Sequence, residues 1–148
     1  MVEMKEILCL TDFTPEATQA LAYARALTER FGAGLRLLHV IENPTSKSYG
    51  EVAGDFLAQE MNARTKTQEW LAKIKEEQLS GLPNCETMMG AGDLFEQVLK
   101  VVAEKKIDVL VMSAHTHRGF HLHLLTNLPG KLVHDAPCHV FVVHSPGK

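Results

Sequence analysis

Four short apolar runs constrain this chain more than anything else in it: Ile7 to Leu10, Leu35 to Ile41, Ile107 to Met112 and Val140 to Val143. Each is partly β-branched and bounded by polar or turn residues, which is how strands covered on both faces read. The four are expected as central or near-central parallel strands. Parallel neighbours need long crossovers, and the intervals between the runs are long enough to hold helices.

The first interval contains one. Thr14-Pro15-Glu16 reads as an N-cap followed by proline at the first helical position. Ala17, Leu21, Ala24 and Leu27 then recur at helical spacing until Gly32 or Gly34, completing a β-α-β unit. A second helix signal opens at Asp93, where Asp-x-x-Glu through Glu96 resembles a capping box, and runs through Leu94, Val98 and Val101 to the Ile107 strand. Between Cys85 and Met89 the pattern is weaker and partly alternating, as expected of an edge strand.

Residues 51–79 form a long helical candidate with Phe56, Met61, Trp70 and Ile74 as apolar anchors, and Asn62 to Glu69 reads as polar all round. One long exposed helix or two shorter ones fit. The stretch Asn43 to Gly50 reads as a loop before it. Alternating strands and helices with right-handed crossovers imply an α/β fold, an open doubly wound five-stranded parallel sheet with helices on both faces. In such sheets ligands bind beyond the carboxyl ends of the strands at the switch point. The loops that matter are therefore Thr11 to Thr14, Ile41 to Asn43 and Ser113 to Asn127.

At 148 residues the chain fits a single domain spanning 1–148. A net charge of -3 with no basic stripe argues against nucleic acid as a partner. No apolar run approaches membrane-spanning length and the first residues do not read as a signal peptide, so no membrane is expected and the location is expected to be cytoplasmic. Cys9, Cys85 and Cys138 are odd in number and sit in or beside apolar segments, so they read as small core residues rather than a disulfide framework.

Asp12 follows the first strand directly, where a carboxylate either accepts hydrogen bonds from a ligand amine or caps the following helix. With the segments ILCLTDFTPEATQALAYARAL, LRLLHVIENP and IDVLVMSAHTHRGFHLHLLTNLPGKLVHDAPCHVFVV, the chain resembles the universal stress protein family over nearly its whole length. Residues 44–84 match only as a variable helical insert. The resemblance implies strand order 3-2-1-4-5, an adenine nucleotide alpha hydrolase-like fold, frequent dimers, and two branches of which one binds ATP.

The ATP-binding branch carries the phosphate loop G-x-x-G-x9-G-[ST] after the fourth strand. Laid on this chain, its four positions fall on Ser113, Thr116, Thr126 and Asn127. Backbone amides that cradle phosphate need glycine's freedom of approach and conformation. Three non-glycine residues forced left-handed would cost roughly 3–6 kcal/mol, or about two to four orders of magnitude in affinity. By the same resemblance Asp12 and the main chain near Val40 keep the adenine side, and Met112 adjoins the loop. Arg118, His117, Gly119 and Lys131 are residues from which a substitute phosphate site could be built. The implied site is a vestigial or weak nucleotide cleft with no cofactor, the alternative being a sensor that binds ATP or AMP through a rebuilt loop.

His115, His117, His121 and His123 invite a metal reading, but no cysteine lies near and Asp135 is the closest carboxylate, so a polar titratable loop is expected rather than a metal site. His134, His139 and His144 read as surface or edge positions. No nucleophile elbow, P-loop lysine or paired carboxylates are present, so no catalytic residue is assigned and the chain is expected not to be an enzyme. Non-enzymatic stress-response regulation through protein partners not yet identified is the expected role. A homodimer is expected through the last strand, where Val140, Phe141, Val142 and Val143 would otherwise leave an exposed apolar edge.

Overall fold

The computed structural model describes residues 2–42, 53–114 and 128–144, with side chains left aside for 53–57. The loop Asn43 to Gly50, the expected phosphate-loop positions Thr116, Thr126 and Asn127, the histidines His115, His117, His121 and His123, and Arg118 and Gly119 lie outside the described residues.

Strand β1 (Glu6–Leu10) leads into helix α1 (Pro15–Phe31) and strand β2 (Gly34–Glu42). Helix α2 (Ala53–Gln78), strand β3 (Cys85–Gly92) and helix α3 (Leu94–Glu104) follow. Strand β4 (Val109–Ser113), helix α4 (Leu128–Asp135) and strand β5 (His139–Val143) complete the order. The sheet runs β3-β2-β1-β4-β5 with all neighbours parallel. It is the doubly wound architecture expected.

Successive residues of a strand point to opposite faces, so an apolar run buried on both sides supplies two cores at once. Ile7, Cys9, Leu35, Leu37 and Val111 pack with α1 and with Leu71 of α2. Leu8, Leu38, Val40, Leu110 and Met112 pack with Val98 and Val101 of α3 and Leu132 of α4. Burial pushes the Cys9 thiol up to about 12, which makes it an inert core group. All three cysteines are free; Cys85 and Cys138 are half-buried rather than fully in the core.

Local signals set the helix ends. Thr14 accepts from the Ala17 amide at the α1 N-terminus, with Pro15 as the first helical residue. Gly32, at φ 66°, closes α1 in the left-handed conformation and its N–H donates to the Thr28 carbonyl. Gly34 has a different job, because a Cβ there would come within 2.8 Å of Asn84 Nδ2. Asp93 caps α3 through the Glu96 amide.

Three expectations need correction. The apolar run at Val140 to Val143 does not mark a central or near-central strand: β5 lies at the sheet edge, as strand order 3-2-1-4-5 implies, with Phe141 38% exposed and His139 exposed. Its uniform apolarity arises because Val140 and Val142 back onto the α3–α4 core while Val143 enters the other. Of the expected anchors of α2, Ile74 packs against the core, but Met61 and Trp70 do not, being 66% and 48% exposed; Leu71, one step on from Trp70, faces the sheet instead. The polar segment Asn62 to Glu69 is not exposed all round either, since Thr67 is buried at 4% exposure.

Candidate functional site

The turn between β1 and α1 is held in a tight, strained form. Thr11 donates its N–H to the Leu38 carbonyl at 3.0 Å, and its hydroxyl oxygen accepts from the Phe13 amide at 3.0 Å. Phe13 has φ 65°, a conformation that costs a bulky residue ~1–2 kcal/mol. Residues kept in such strain cluster at ligand sites. The Phe13 ring is wedged 4.5 Å from that of His39 and 4.9 Å, edge-on, from that of Trp70. His39 Nδ1 lies 2.8 Å from the Thr11 carbonyl oxygen. A carbonyl can only accept, so Nδ1 is the nitrogen that donates.

Asp12 occupies the middle of this turn. Its Oδ1 accepts from the Thr14 amide at 3.1 Å and the Thr14 hydroxyl at 2.5 Å. Thr14, not Asp12, caps α1; Asp12 orients the cap. Its other oxygen, Oδ2, is buried with no hydrogen-bond partner among the described residues. A buried carboxylate oxygen left unpaired costs about 1–3 kcal/mol, so the arrangement favours any ligand that brings an N–H to it.

A cleft of about 420 Å³ opens at the carboxyl ends of β1, β2 and β4. Asp12, Val40, Met112 and Ser113 all line it, so four of the residues singled out from sequence meet in one place. Val40 and Met112 are almost fully buried and form its apolar floor. Ser113 is the last residue of β4, 5% exposed and in register with Val143, and the next amide, of Ala114, donates to the Val143 carbonyl at 2.9 Å. Leu94 and Leu128, the first residues of α3 and α4, also line it. Lys131, considered as a phosphate contact, places its ammonium 4.4 Å over the Phe95 ring and so ties α4 to α3.

Sequence reasoning missed the opposite wall. Ala63, Lys66, Thr67 and Trp70 of α2 line the cleft beside His39. Their i, i+3, i+4, i+7 spacing is a legible helical face, but it mixes a cation, a hydroxyl and an indole and so carries no apolar signature. No group of three or more His, Cys, Asp or Glu side chains placed to hold a metal occurs among the described residues, and none of their helices is long and apolar enough to cross a membrane.

An open parallel sheet with a partly apolar cleft across its carboxyl edge and an unpaired carboxylate in its first turn is the framework of nucleotide-binding-like α/β proteins. The chain belongs to the universal stress protein family, whose model matches residues 3–144. A universal stress protein of Thermus aquaticus, encoded in the 3′ region of a QAH/OAS sulfhydrylase, is 28% identical over 141 residues, which cover 94% of this chain and 98% of that one. Among solved structures, UspA from Lactobacillus plantarum superposes with a TM-score of 0.77 at 22% identity, covering 97% of this chain and 99% of that one. A universal stress protein solved in complex with cAMP superposes with a TM-score of 0.66 at 19% identity, covering 97% and 99%.

Proposed function

We propose that this chain is a non-enzymatic stress-response module of the cytoplasm, acting through protein contacts, whose cleft takes an adenine nucleotide weakly. The observation that carries the reading is the asymmetry of the cleft. At one end Asp12, whose Oδ2 is buried and without a partner among the described residues, lines the cleft together with Val40, which supports recognition of an exocyclic amine there. At the other, Ser113 stands where the family's phosphate loop has its first glycine, and the Ala114 amide is already taken by the sheet. Base recognition is thus supported more strongly than phosphate recognition. A nucleotide sensor is the second reading, favoured by the size of the cleft and by the family member crystallised with cAMP.

Calorimetric titration of ATP·Mg²⁺ separates the two. The natural protein is expected to bind at millimolar strength or not at all. A variant carrying Ser113→Gly, Thr116→Gly, Thr126→Gly and Asn127→Ser together is expected to gain about two orders of magnitude or more. Micromolar binding by the unaltered chain would establish the sensor reading instead.

The same proposal includes a homodimer through β5. That strand lies at the sheet edge, and Phe141 reaches outward to within 6.1 Å of the Tyr23 ring, itself 50% exposed. Pairing with a second copy would satisfy the edge amides and cover both rings. Sedimentation equilibrium at tens of micromolar is expected to give a dimer; a monomer throughout that range rejects it.

A further inference from the structure

We propose that α2 is a ligand-reading wall of the cleft, in which Trp70 stacks on the base of a bound nucleotide and Lys66, one turn earlier, pairs with its phosphate. The inference rests on the nucleotide reading of the cleft and goes beyond it, since neither residue lies in the segments that carry the family resemblance.

The argument begins with Trp70. A large apolar side chain facing outward on a helix whose neighbours Leu71 and Ile74 hold the sheet is not needed for packing, and 48% of its surface remains open. Yet it is not loose. Its ring rests edge-on against Phe13, and Phe13 is held in a left-handed conformation with its other neighbour, His39, fixed by the Thr11 carbonyl. Both Trp70 and His39 line the cleft. Phe13 therefore buttresses two rings that line a ligand-sized space, a space that Asp12, with Oδ2 lacking an N–H donor among the described residues, lines as well. A planar heteroaromatic ring bearing an amine satisfies both features at once: its faces meet an aromatic surface and its edge meets the carboxylate.

Lys66 supplies the remaining chemistry. It shares the helix face with Trp70, and among the described residues it has no acidic partner, whereas the neighbouring pair Glu60 and Arg64 bridge one another at 3.7 Å. The cleft also holds Asp12 and Glu42, so an anionic ligand needs a cation within it. Lys131 is engaged over Phe95, which leaves Lys66 as the lysine in the cleft lining. Because Lys66 is exposed, its pairing with a phosphate is weak and salt-sensitive, and the stack is the stronger of the two contacts.

Trp70 is the chain's single tryptophan, so one indole N–H resonance reports on this wall in the isotope-labelled full-length protein. Titrations use adenosine and AMP, with calorimetry in parallel. Both ligands are expected to shift the indole resonance. Trp70→Ala is expected to weaken both by about tenfold or more, and Trp70→Phe to recover most of that. Lys66→Ala is expected to weaken AMP by about two- to fivefold at low salt and to leave adenosine unchanged, with Lys66→Arg restoring AMP. Binding seen by calorimetry without movement of the indole resonance, or undiminished in Trp70→Ala, overturns the stacking role. Adenosine and AMP binding equally, or a Lys66→Ala variant that keeps the preference for AMP, overturns the phosphate role. If neither ligand binds at millimolar concentration, the nucleotide reading of the cleft falls and this inference with it, an outcome distinct from the other two.

Discussion

The two ends of the same five strands are finished in opposite ways. At the amino ends, charges are paired off. Arg36 on β2 lies 3.2 Å from Glu6 on β1 and 2.6 Å from Glu86 on β3, and Lys105 approaches Glu86 at 3.8 Å. Asp108 accepts from the amides of Lys5 at 2.7 Å and Glu6 at 2.9 Å, tying β1 to the start of β4. Glu6 Oε1 and Arg36 Nε lack hydrogen-bond angles but face one another as an ion pair, so neither charge is alone. At the carboxyl ends, Asp12 Oδ2 is buried with no such counterpart, Phe13 is strained, and an indole and a lysine line open space. Among the described residues, the polar groups at one end are matched and those at the other are not. Unmatched polar groups need a partner from somewhere, and that need supports the proposal of a ligand at the carboxyl end.

The largest effect that can break this comparison is at the closed end. Arg36→Ala strips Glu6 of its cation and leaves Glu86 only the longer contact with Lys105. The side chains of Arg36 and Glu6 are 16% and 24% exposed, between a fully buried pair, where breaking costs 3–5 kcal/mol, and a surface pair, which contributes little. A loss of about 2 kcal/mol in urea unfolding is expected, with Glu6→Gln in the same chain recovering part of it. A loss under about 0.5 kcal/mol would mean that water already solvates these charges and that the closed end is closed only in appearance.

What could be read in advance follows the same division. The five strands, the Thr14 and Asp93 caps and the Gly32 terminus rest on local rules, in which a residue acts on its near neighbours in the chain, and the sequence carries those in full. The strand order came with the family resemblance. Asp12 is legible because it directly follows an apolar run, whereas Val40, Met112 and Ser113 come with the family resemblance; the topology brings all four to one cleft. Trp70 reads in the sequence only as an anchor of α2, and Lys66 gives no signal, because their place in the cleft depends on where a helix that begins forty residues after Phe13 is laid down. The inward face of α2 was misassigned for the same reason: Trp70 and Leu71 are adjacent and both apolar, and only the sheet decides which one it covers. The positive φ of Phe13 had no signal at all, since phenylalanine is among the last residues expected there.

The smallest expected effect on stability is at the open end, and its smallness is the point. Asp12→Asn keeps Oδ1, and with it the two hydrogen bonds that orient Thr14 at the helix cap. It replaces Oδ2, the oxygen without a partner, by an amide that is a donor rather than an acceptor. Replacing the oxygen that has no partner among the described residues breaks no hydrogen bond there, so the unfolding free energy is expected to stay within about 0.5 kcal/mol of the parent. Ligand binding responds in the opposite sense. An adenine amine that donated to Oδ2 would now face another donor, and the affinity for adenosine is expected to fall by about tenfold or more. Urea unfolding and adenosine titration on the same variant therefore give a crossed result: stability kept and binding lost. If instead Asp12→Asn destabilises the fold by 2 kcal/mol or so, like Arg36→Ala, then Asp12 serves the turn rather than a ligand, and the two ends of the sheet differ less than their hydrogen bonds suggest.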